Sequence, residues 1–206
     1  VAAKTATFSG NVSATTMALA GTDGTAVFVA DKTFTGNVTA AAGGNGVLTF
    51  GTPTQDNTLV TGLVGAAAGN AVLVMNVTTA SGFTQTLTGV VTARSINVAG
   101  DGGVRYEDDV VAVTKMNFAD TVTATATFAA DKKIVGNVDA HSNDGNLVFE
   151  ATTTDTVLVS GTTGVTNAIT SITVSPATGV TATFTGAVQA TTMTNSGAGV
   201  LDYTAA

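Results

Sequence analysis

Five aspartates recur at the ends of successive segments of the chain, where a ladder of carboxylates could bind metal ions. If these segments stack as coils about 5 Å apart, the like charges repel one another unless cations lie between them. We predict no metal site and interpret these residues as solvated turn carboxylates, or as local pairs with the lysines that follow two of them. A calcium ladder is the weaker alternative, and no GGxGxD nonapeptide occurs. The aspartates are Asp31, Asp56, Asp109, Asp131 and Asp155, and all except Asp109 are candidate ligands.

The densest group of charges comprises Arg105, Glu107, Asp108 and Asp109. Polysaccharide lyases with a solenoid fold use aspartate and arginine on one outer face, but such chemistry needs converging carboxylates or a cation plus a base. These carboxylates are adjacent in sequence, so alternate ones point to opposite faces of a strand. We interpret the group as a charged loop and predict no catalytic residues and no enzymatic activity. A carbohydrate-binding or carbohydrate-processing solenoid is the weaker alternative.

The remaining candidate sites have simpler interpretations. His141 is the only histidine, and the chain has no cysteine, so neither a thiolate metal site nor a disulfide is available. The glycine-rich segments at 43–46 and 100–103 precede no helix and no lysine, so we interpret them as turns rather than phosphate loops. Use of the three glycosylation sequons depends on the source of the protein, and they begin at Asn11, Asn37 and Asn76.

The composition predicts an all-β protein located outside the cell. Of the 206 residues, 44% are hydrophobic and 10% charged, and Val, Thr and the 24 glycines are strand and turn formers. The net charge of -7 repels phosphate, which argues against nucleic acid as a partner, and no apolar run is long enough for membrane insertion. The acidic, threonine-rich and lysine-poor surface is typical of a secreted protein. Because the chain starts at Val1, we expect a processed mature chain or a fragment.

An internal repeat organises the whole chain. The segment Thr25–Gly65 aligns with Thr125–Gly164 with one gap, and a shorter unit recurs within each copy. That unit has an apolar residue, a glycine two positions later and often a valine two positions after that. The spacing predicts one repeat domain over 1–206, with about eight coils of about 25 residues. The expected coils are 7–31, 32–56, 57–82, 83–109, 110–131, 132–155, 156–179 and 180–206.

Alignment on the unit glycines produces a column of large apolar residues. Because alternate residues of a strand share a face, these side chains point inward and the asparagines at 11, 37 and 137 point outward. Stacked coils bury such a column continuously, which predicts a parallel β-solenoid (β-helix). The alternative is an antiparallel β-sandwich of pilin type, which also has short strands separated by turns. The column comprises Phe8, Phe34, Val60, Leu87, Ile134, Val159 and Phe184.

Two segments carry a resemblance to a known family. The run FTGNVTAAAGGNGVLTF at 34–50 and the run IVGNVDAHSNDGNLVFEATTTDTVLVSGTTG at 134–164 resemble repeats in the passenger regions of alphaproteobacterial autotransporter adhesins and surface-layer proteins, including the rickettsial outer-membrane B type. The resemblance implies a solenoid displayed at the cell surface for adhesion or coating. A weaker similarity links the matching ends, TATFSGNVSATTM and TATFTGAVQATTM, to pilins assembled by donor-strand exchange.

The ends of the chain predict its function. The apolar column begins at Phe8, Tyr203 lies near the other end, and neither end has a polar cap. We expect the two ends to meet in neighbouring copies, which gives a head-to-tail homopolymer, either a surface filament or a surface layer. The alternatives are an adhesive fragment of an autotransporter passenger and a donor-strand-exchanged pilin. A host or neighbouring cell surface is an alternative partner, and we predict no cofactor, with calcium as the one alternative.

Overall fold

The computed structural model describes residues 4–20, 24–41, 45–65, 70–119, 123–142 and 144–205. These residues form nineteen strands and no α-helix, and the strands are arranged in two sheets. In spatial order, the ten-stranded sheet contains β1 (Lys4–Phe8), β3 (Gly24–Phe28), β5 (Val47–Phe50), β7 (Val72–Thr79), β9 (Val91–Gly100), β11 (Val110–Phe118), β13 (Ile134–Ala140), β15 (Thr156–Val159), β17 (Thr181–Val188) and β19 (Val200–Ala205). The nine-stranded sheet contains β2 (Val12–Leu19), β4 (Phe34–Ala40), β6 (Asn57–Val60), β8 (Thr84–Leu87), β10 (Gly103–Tyr106), β12 (Thr125–Phe128), β14 (Asn146–Thr152), β16 (Ile169–Pro176) and β18 (Ala190–Asn195).

The fold is a parallel β-solenoid of about nine turns, with one strand of each sheet in every turn. Each strand pairs in parallel with the strand two positions further along the chain, as β1 does with β3. The predicted fold class is therefore confirmed. The sandwich alternative is wrong, because it requires antiparallel pairing and every strand pair in the described residues is parallel.

The core lies between the two sheets and is built from inward columns of apolar side chains. Aromatic rings stack along it: Phe28 lies 4.8 Å from Phe8 and 5.4 Å from Phe50 between ring centroids. A second stack in the other sheet places Tyr106 5.3 Å from the ring of Phe128. Offset stacking of this kind adds to the hydrophobic stabilisation of each coil. The alternation of apolar and polar residues in the strands therefore predicts the inward faces correctly.

Glycines hold neighbouring coils close together. A Cβ atom at Gly89 would lie 2.6 Å from the carbonyl oxygen of Gly62, which is closer than real Cβ atoms approach such atoms. Gly36 carries a φ of 131° opposite a bulge in β2, where a side chain would overlap the carbonyl oxygen of Ala14. The close backbone approach explains why the repeat keeps a glycine here. The two stacked sets are Gly36, Gly62 and Gly89, and Gly136, Gly161 and Gly186.

The two copies of the internal duplication lie on opposite sheets, which the sequence alignment did not predict. Thr25–Gly65 covers β3 to β6 and Thr125–Gly164 covers β12 to β15, so the copies are nine strands apart. Nine strands make four and a half turns, which places β4 in one sheet and β13 in the other. A single column through Phe34 and Ile134 is therefore wrong. The half-turn shift is tolerated because both sheets present the same inward pattern to one core.

The length of a turn also varies more than the repeat spacing indicates. Phe8 aligns with Phe28 in the next turn, whereas Phe34 aligns with Val60. In the middle of the chain, Leu87 aligns with Tyr106. The outer turns and bulges absorb these differences, because only the strands must keep register with their neighbours. The shorter turns, such as Phe8 to Phe28 and Leu87 to Tyr106, explain why the chain makes about nine turns rather than about eight.

Candidate assembly site

The N-terminal end of the solenoid presents two strands with a free edge. β1 pairs only with β3, and β2 pairs only with β4, so the outer side of each strand has no partner among the described residues. The first four residues of β1 are exposed, and Phe8 is half-buried. Phe8, Val12 and Met17 pack against the core from the inside while their outer sides remain uncovered. An exposed edge above an apolar layer is a surface that favours addition of another strand.

The C-terminal end presents a surface of the same kind. β19 pairs only with β17, and β18 pairs only with β16. The side chain of Tyr203 is 46% exposed and that of Val200 is 57% exposed, whereas large apolar side chains in the inward columns of the inner coils are buried. Met193 and Leu201 contact the core from this end. The two end surfaces therefore combine apolar side chains with unpaired strand edges.

The structure places the two predicted assembly residues at opposite edges of the same sheet. Phe8 lies in β1 and Tyr203 in β19, which are the first and last strands of the ten-stranded sheet. Each ring lies over the ring position of the next coil inward, because Phe8 aligns with Phe28 and Tyr203 aligns with Phe184. Both rings therefore extend the core columns to the ends. Their role in assembly remains a prediction.

The candidate calcium ligands bind the next coil through hydrogen bonds. Asp31 accepts a hydrogen bond from the backbone N–H of Thr54 at 2.8 Å, and also one from its hydroxyl group. Asp131 does the same with Thr153, at 2.6 Å and 2.5 Å. These bonds lower the pKa of both carboxyl groups, with the threonine hydroxyl as the largest cause. Both aspartates have a φ of 59°, so each also forms the sharp turn between two strands.

The other two candidate ligands follow the same arrangement. Asp56 accepts from the backbone N–H of Thr84 at 2.6 Å, and Asp155 accepts from that of Thr181 at 2.7 Å. Such bonds satisfy backbone donors at the start of the following strand, which otherwise have no partner in the turn. The residues that the structure describes contain no group of three or more acidic or histidine side chains that could hold a metal ion. The interpretation as turn carboxylates stays a prediction, with calcium as the weaker alternative.

The charged group around Arg105 links coils to one another. The guanidinium group forms a bidentate ion pair with Glu150, two coils further along the same sheet, with one N–O distance of 2.9 Å, and it also binds Glu107 at 2.5 Å. Lys132 binds Asp108 at 2.9 Å. The charged groups are therefore paired with one another and do not converge on one point. The arrangement ties three coils together on the outer surface, as expected for a bidentate arginine pair.

One buried charge was not predicted from the sequence. Asp139 is only 7% exposed, and its carboxylate accepts hydrogen bonds from the backbone N–H groups of Ala140 and Asn167, both at 3.1 Å. Burial raises the pKa of Asp139, but the hydrogen bonds from Thr166 and Asn167 and the charge of Lys115 outweigh it and lower the pKa overall. Because Val138 and Ala140 both point inward, alternation along the strand places Asp139 on the outer face, so no sequence signal indicated its burial.

The remaining sequence candidates lie on the outer surface or in turns. His141 is exposed, and the turn at 100–103 joins β9 to β10. Residues 43–44 of the other glycine-rich segment lie outside the described residues. Of the three sequon asparagines, Asn11 and Asn37 accept backbone hydrogen bonds from the next coil, as the aspartates do, and Asn76 accepts one from the side chain of Asn97 at 2.8 Å.

Among the described residues, no helix is long and apolar enough to cross a membrane. Comparison of the chain with models of protein families, with curated proteins and with solved structures found no match. The two end surfaces are therefore the features of the described structure that bear most directly on function.

Proposed function

We propose that the chain is an extracellular structural protein whose copies join head to tail into a surface filament or surface layer. One observation carries this proposal: the two ends of the solenoid combine free strand edges with apolar side chains, whereas the inner coils are paired on both sides. The end surfaces point in opposite directions along one axis, so a contact between them does not close into a ring and instead continues from copy to copy.

Contact between two ends would stabilise both. The outer edges of β18 and β19 have free N–H and C=O groups that a parallel strand of a second copy would pair, as each strand pairs inside the chain. Tyr203, which is 46% exposed, and Leu201, which contacts the core from this end, would leave water in the same step. The location outside the cell rests on the acidic, threonine-rich composition and on the resemblance to surface passenger regions.

Electron microscopy of the purified chain, together with light scattering, tests the proposal. We expect fibres or sheets that form at micromolar concentration and are many times longer than a single solenoid. The Tyr203→Asp variant should not polymerise, because it places a charge in the contact. Thr61→Asp adds the same charge on the exposed side of an inner coil and should polymerise like the unchanged chain. Monodisperse short rods of the unchanged chain would overturn the proposal and favour a monomeric adhesin fragment.

A further inference from the structure

We propose that neighbouring copies join by strand replacement: β19 of one copy takes the place that β1 holds in the next copy and pairs with β3 there. This inference rests on the proposed head-to-tail assembly and specifies how the joint is made.

The nine-strand period makes β1, β10 and β19 equivalent. β1 pairs with β3 by aligning Phe8 with Phe28, and β10 pairs with β12 by aligning Tyr106 with Phe128. The carbonyl oxygens of Phe8 and Tyr106 both accept the backbone N–H of the residue after the partner ring, at 3.1 Å and 2.9 Å. β10 in turn pairs with β8, and β19 pairs in the same way with β17, which is nine strands after β8. β19 is therefore the first strand of a third repeat.

The strands beside them follow the same equivalence. In β2, Met17 aligns with Val38, and in β11 Met116 aligns with Val138. Both strands also contain a bulge before this methionine, between Ser13 and Thr16 in β2 and between Ala112 and Lys115 in β11. β2 and β11 are therefore the second strands of their repeats, and the strand that follows β19 in the pattern is one of the β2 type.

The junction between the two internal copies is a template for a joint between molecules. There, β9 pairs with β11, and Ile96 aligns with Met116. Ile96 in β9 aligns with Met75 in β7, and nine strands later Met193 in β18 aligns with Ile172 in β16. Met193 is therefore the counterpart of Ile96. On this template, two apolar pairs form when β18 of one copy lies on β2 of the next: Ala190 on Ala14, and Met193 on Met17.

The same template places the two aromatic rings. β19 on β3 of the next copy aligns Tyr203 with Phe28, as β10 on β12 aligns Tyr106 with Phe128. Tyr106 and Phe128 stack with ring centroids 5.3 Å apart. Tyr203 would then leave water and occupy the position over Phe28 that Phe8 holds in the single chain. The joint repeats contacts that the chain already makes.

Two features favour replacement of β1 over simple stacking on it. β1 has five residues, of which the first four are exposed, and it pairs with β3 alone, so little holds it in place. If β1 stayed, it would pair with β18, and no strand of the β1 type pairs with one of the β18 type among the described coils. The replaced joint leaves eighteen strands, or nine full turns, in each copy, so successive copies keep the same sheets in line.

A disulfide staple separates the two kinds of joint. Thr7 aligns with Val27 across β1 and β3, both side chains lie on the outer face, and the chain contains no cysteine. Neighbouring strands are about 4.8 Å apart, within the range that a disulfide spans. In the Thr7→Cys, Val27→Cys variant, oxidation should fix β1 to β3 and abolish polymerisation, and reduction should restore it. Equal polymerisation of the oxidised and reduced forms would overturn strand replacement.

Two further variants complete the test. Phe8→Asp loosens β1 and should polymerise at least as fast as the unchanged chain, whereas simple stacking predicts that it fails. The Val27→Cys, Asp202→Cys variant should form disulfide-linked ladders on a denaturing gel, because these positions align across the replaced joint; Val27→Cys alone should give no more than dimers. If the unchanged chain forms no fibres, the proposed function itself is wrong. If the oxidised Thr7→Cys, Val27→Cys variant still forms fibres, only strand replacement is wrong.

Discussion

Replacement of Gly89 by alanine measures how tightly the coils are stacked. A Cβ atom there would lie 2.6 Å from the carbonyl oxygen of Gly62 and 2.7 Å from the carbonyl carbon. Ordinary contact begins near 3.4 Å, so the two coils must separate locally by about 0.8 Å against their ladder of hydrogen bonds. Overpacking of this kind costs about 1 to 3 kcal/mol.

Gly10 is the matched control for this substitution. It follows an inward aromatic residue by two positions, as Gly89 follows Leu87, but it lies at the end of the solenoid, and a Cβ atom there would meet nothing within 4 Å. Neither glycine has a positive φ, so alanine restricts the unfolded chain similarly at both sites and contributes a stabilisation of about 0.5 kcal/mol. We therefore expect Gly89→Ala to lower the free energy of unfolding by about 2 kcal/mol and Gly10→Ala to raise it slightly.

The assay is urea unfolding followed by far-ultraviolet circular dichroism, at a protein concentration below that of polymerisation. An unchanged denaturant slope in both variants would show that the midpoints report stability alone. For a domain of this size, a loss of about 2 kcal/mol corresponds to a fall in melting temperature of about 4 to 8 °C. Midpoints that shift equally for Gly89→Ala and Gly10→Ala would refute the steric explanation of the glycine ladder.

Three other expectations follow from buried or bridging groups. The hydroxyl of Thr163 is buried without a hydrogen-bond partner among the described residues, so Thr163→Val should stabilise the chain by about 1 kcal/mol; a lower urea midpoint would contradict this. The lowered pKa of Asp131 contributes stability at neutral pH that is lost as the pH falls below about 4. Asp131→Asn should therefore melt below the unchanged chain at pH 7, with the difference shrinking towards pH 2. EDTA should leave the melting temperature unchanged, and a fall on chelation would instead support calcium.

The sequence was sufficient to predict the fold class because each coil repeats the same inward pattern. The alternation around Phe34 and Val38 predicts buried faces, and both side chains are fully buried. The glycine between them predicts close backbone approach, which the structure has at Gly36. These features are local in sequence, so a strand pattern and a turn pattern are enough to find them.

Features that depend on how coils meet could not be predicted in the same way. The duplicated segments align equally well whether their strands share a sheet or lie in opposite sheets, so the half-turn offset of β13 from β4 is invisible in the alignment. The acceptors of backbone N–H groups were missed for a similar reason. Asp31 and Thr54 lie 23 positions apart, a separation that has meaning only when the length of that particular turn is known.

The end surfaces illustrate the same limit. The matching segments near the two ends of the chain indicate that the first and last coils are alike, and the structure places their leading strands β1 and β17 in one sheet. What the sequence does not contain is the count of strands between them. Only that count shows that β19 begins a new repeat and has an equivalent strand at the opposite end.

The four-and-a-half-turn unit has a consequence for what the protein displays. Because each unit contains nine strands, equivalent strands of successive units lie in opposite sheets. Equivalent outward side chains therefore lie on opposite sides of the solenoid in successive units. In β13 the outward Val135 is exposed on one side, and its counterpart in β4, Thr35, is exposed on the other. A structure of many units would therefore be two-sided, and mutations that accumulate in one unit would give its two flanks different properties without altering the core.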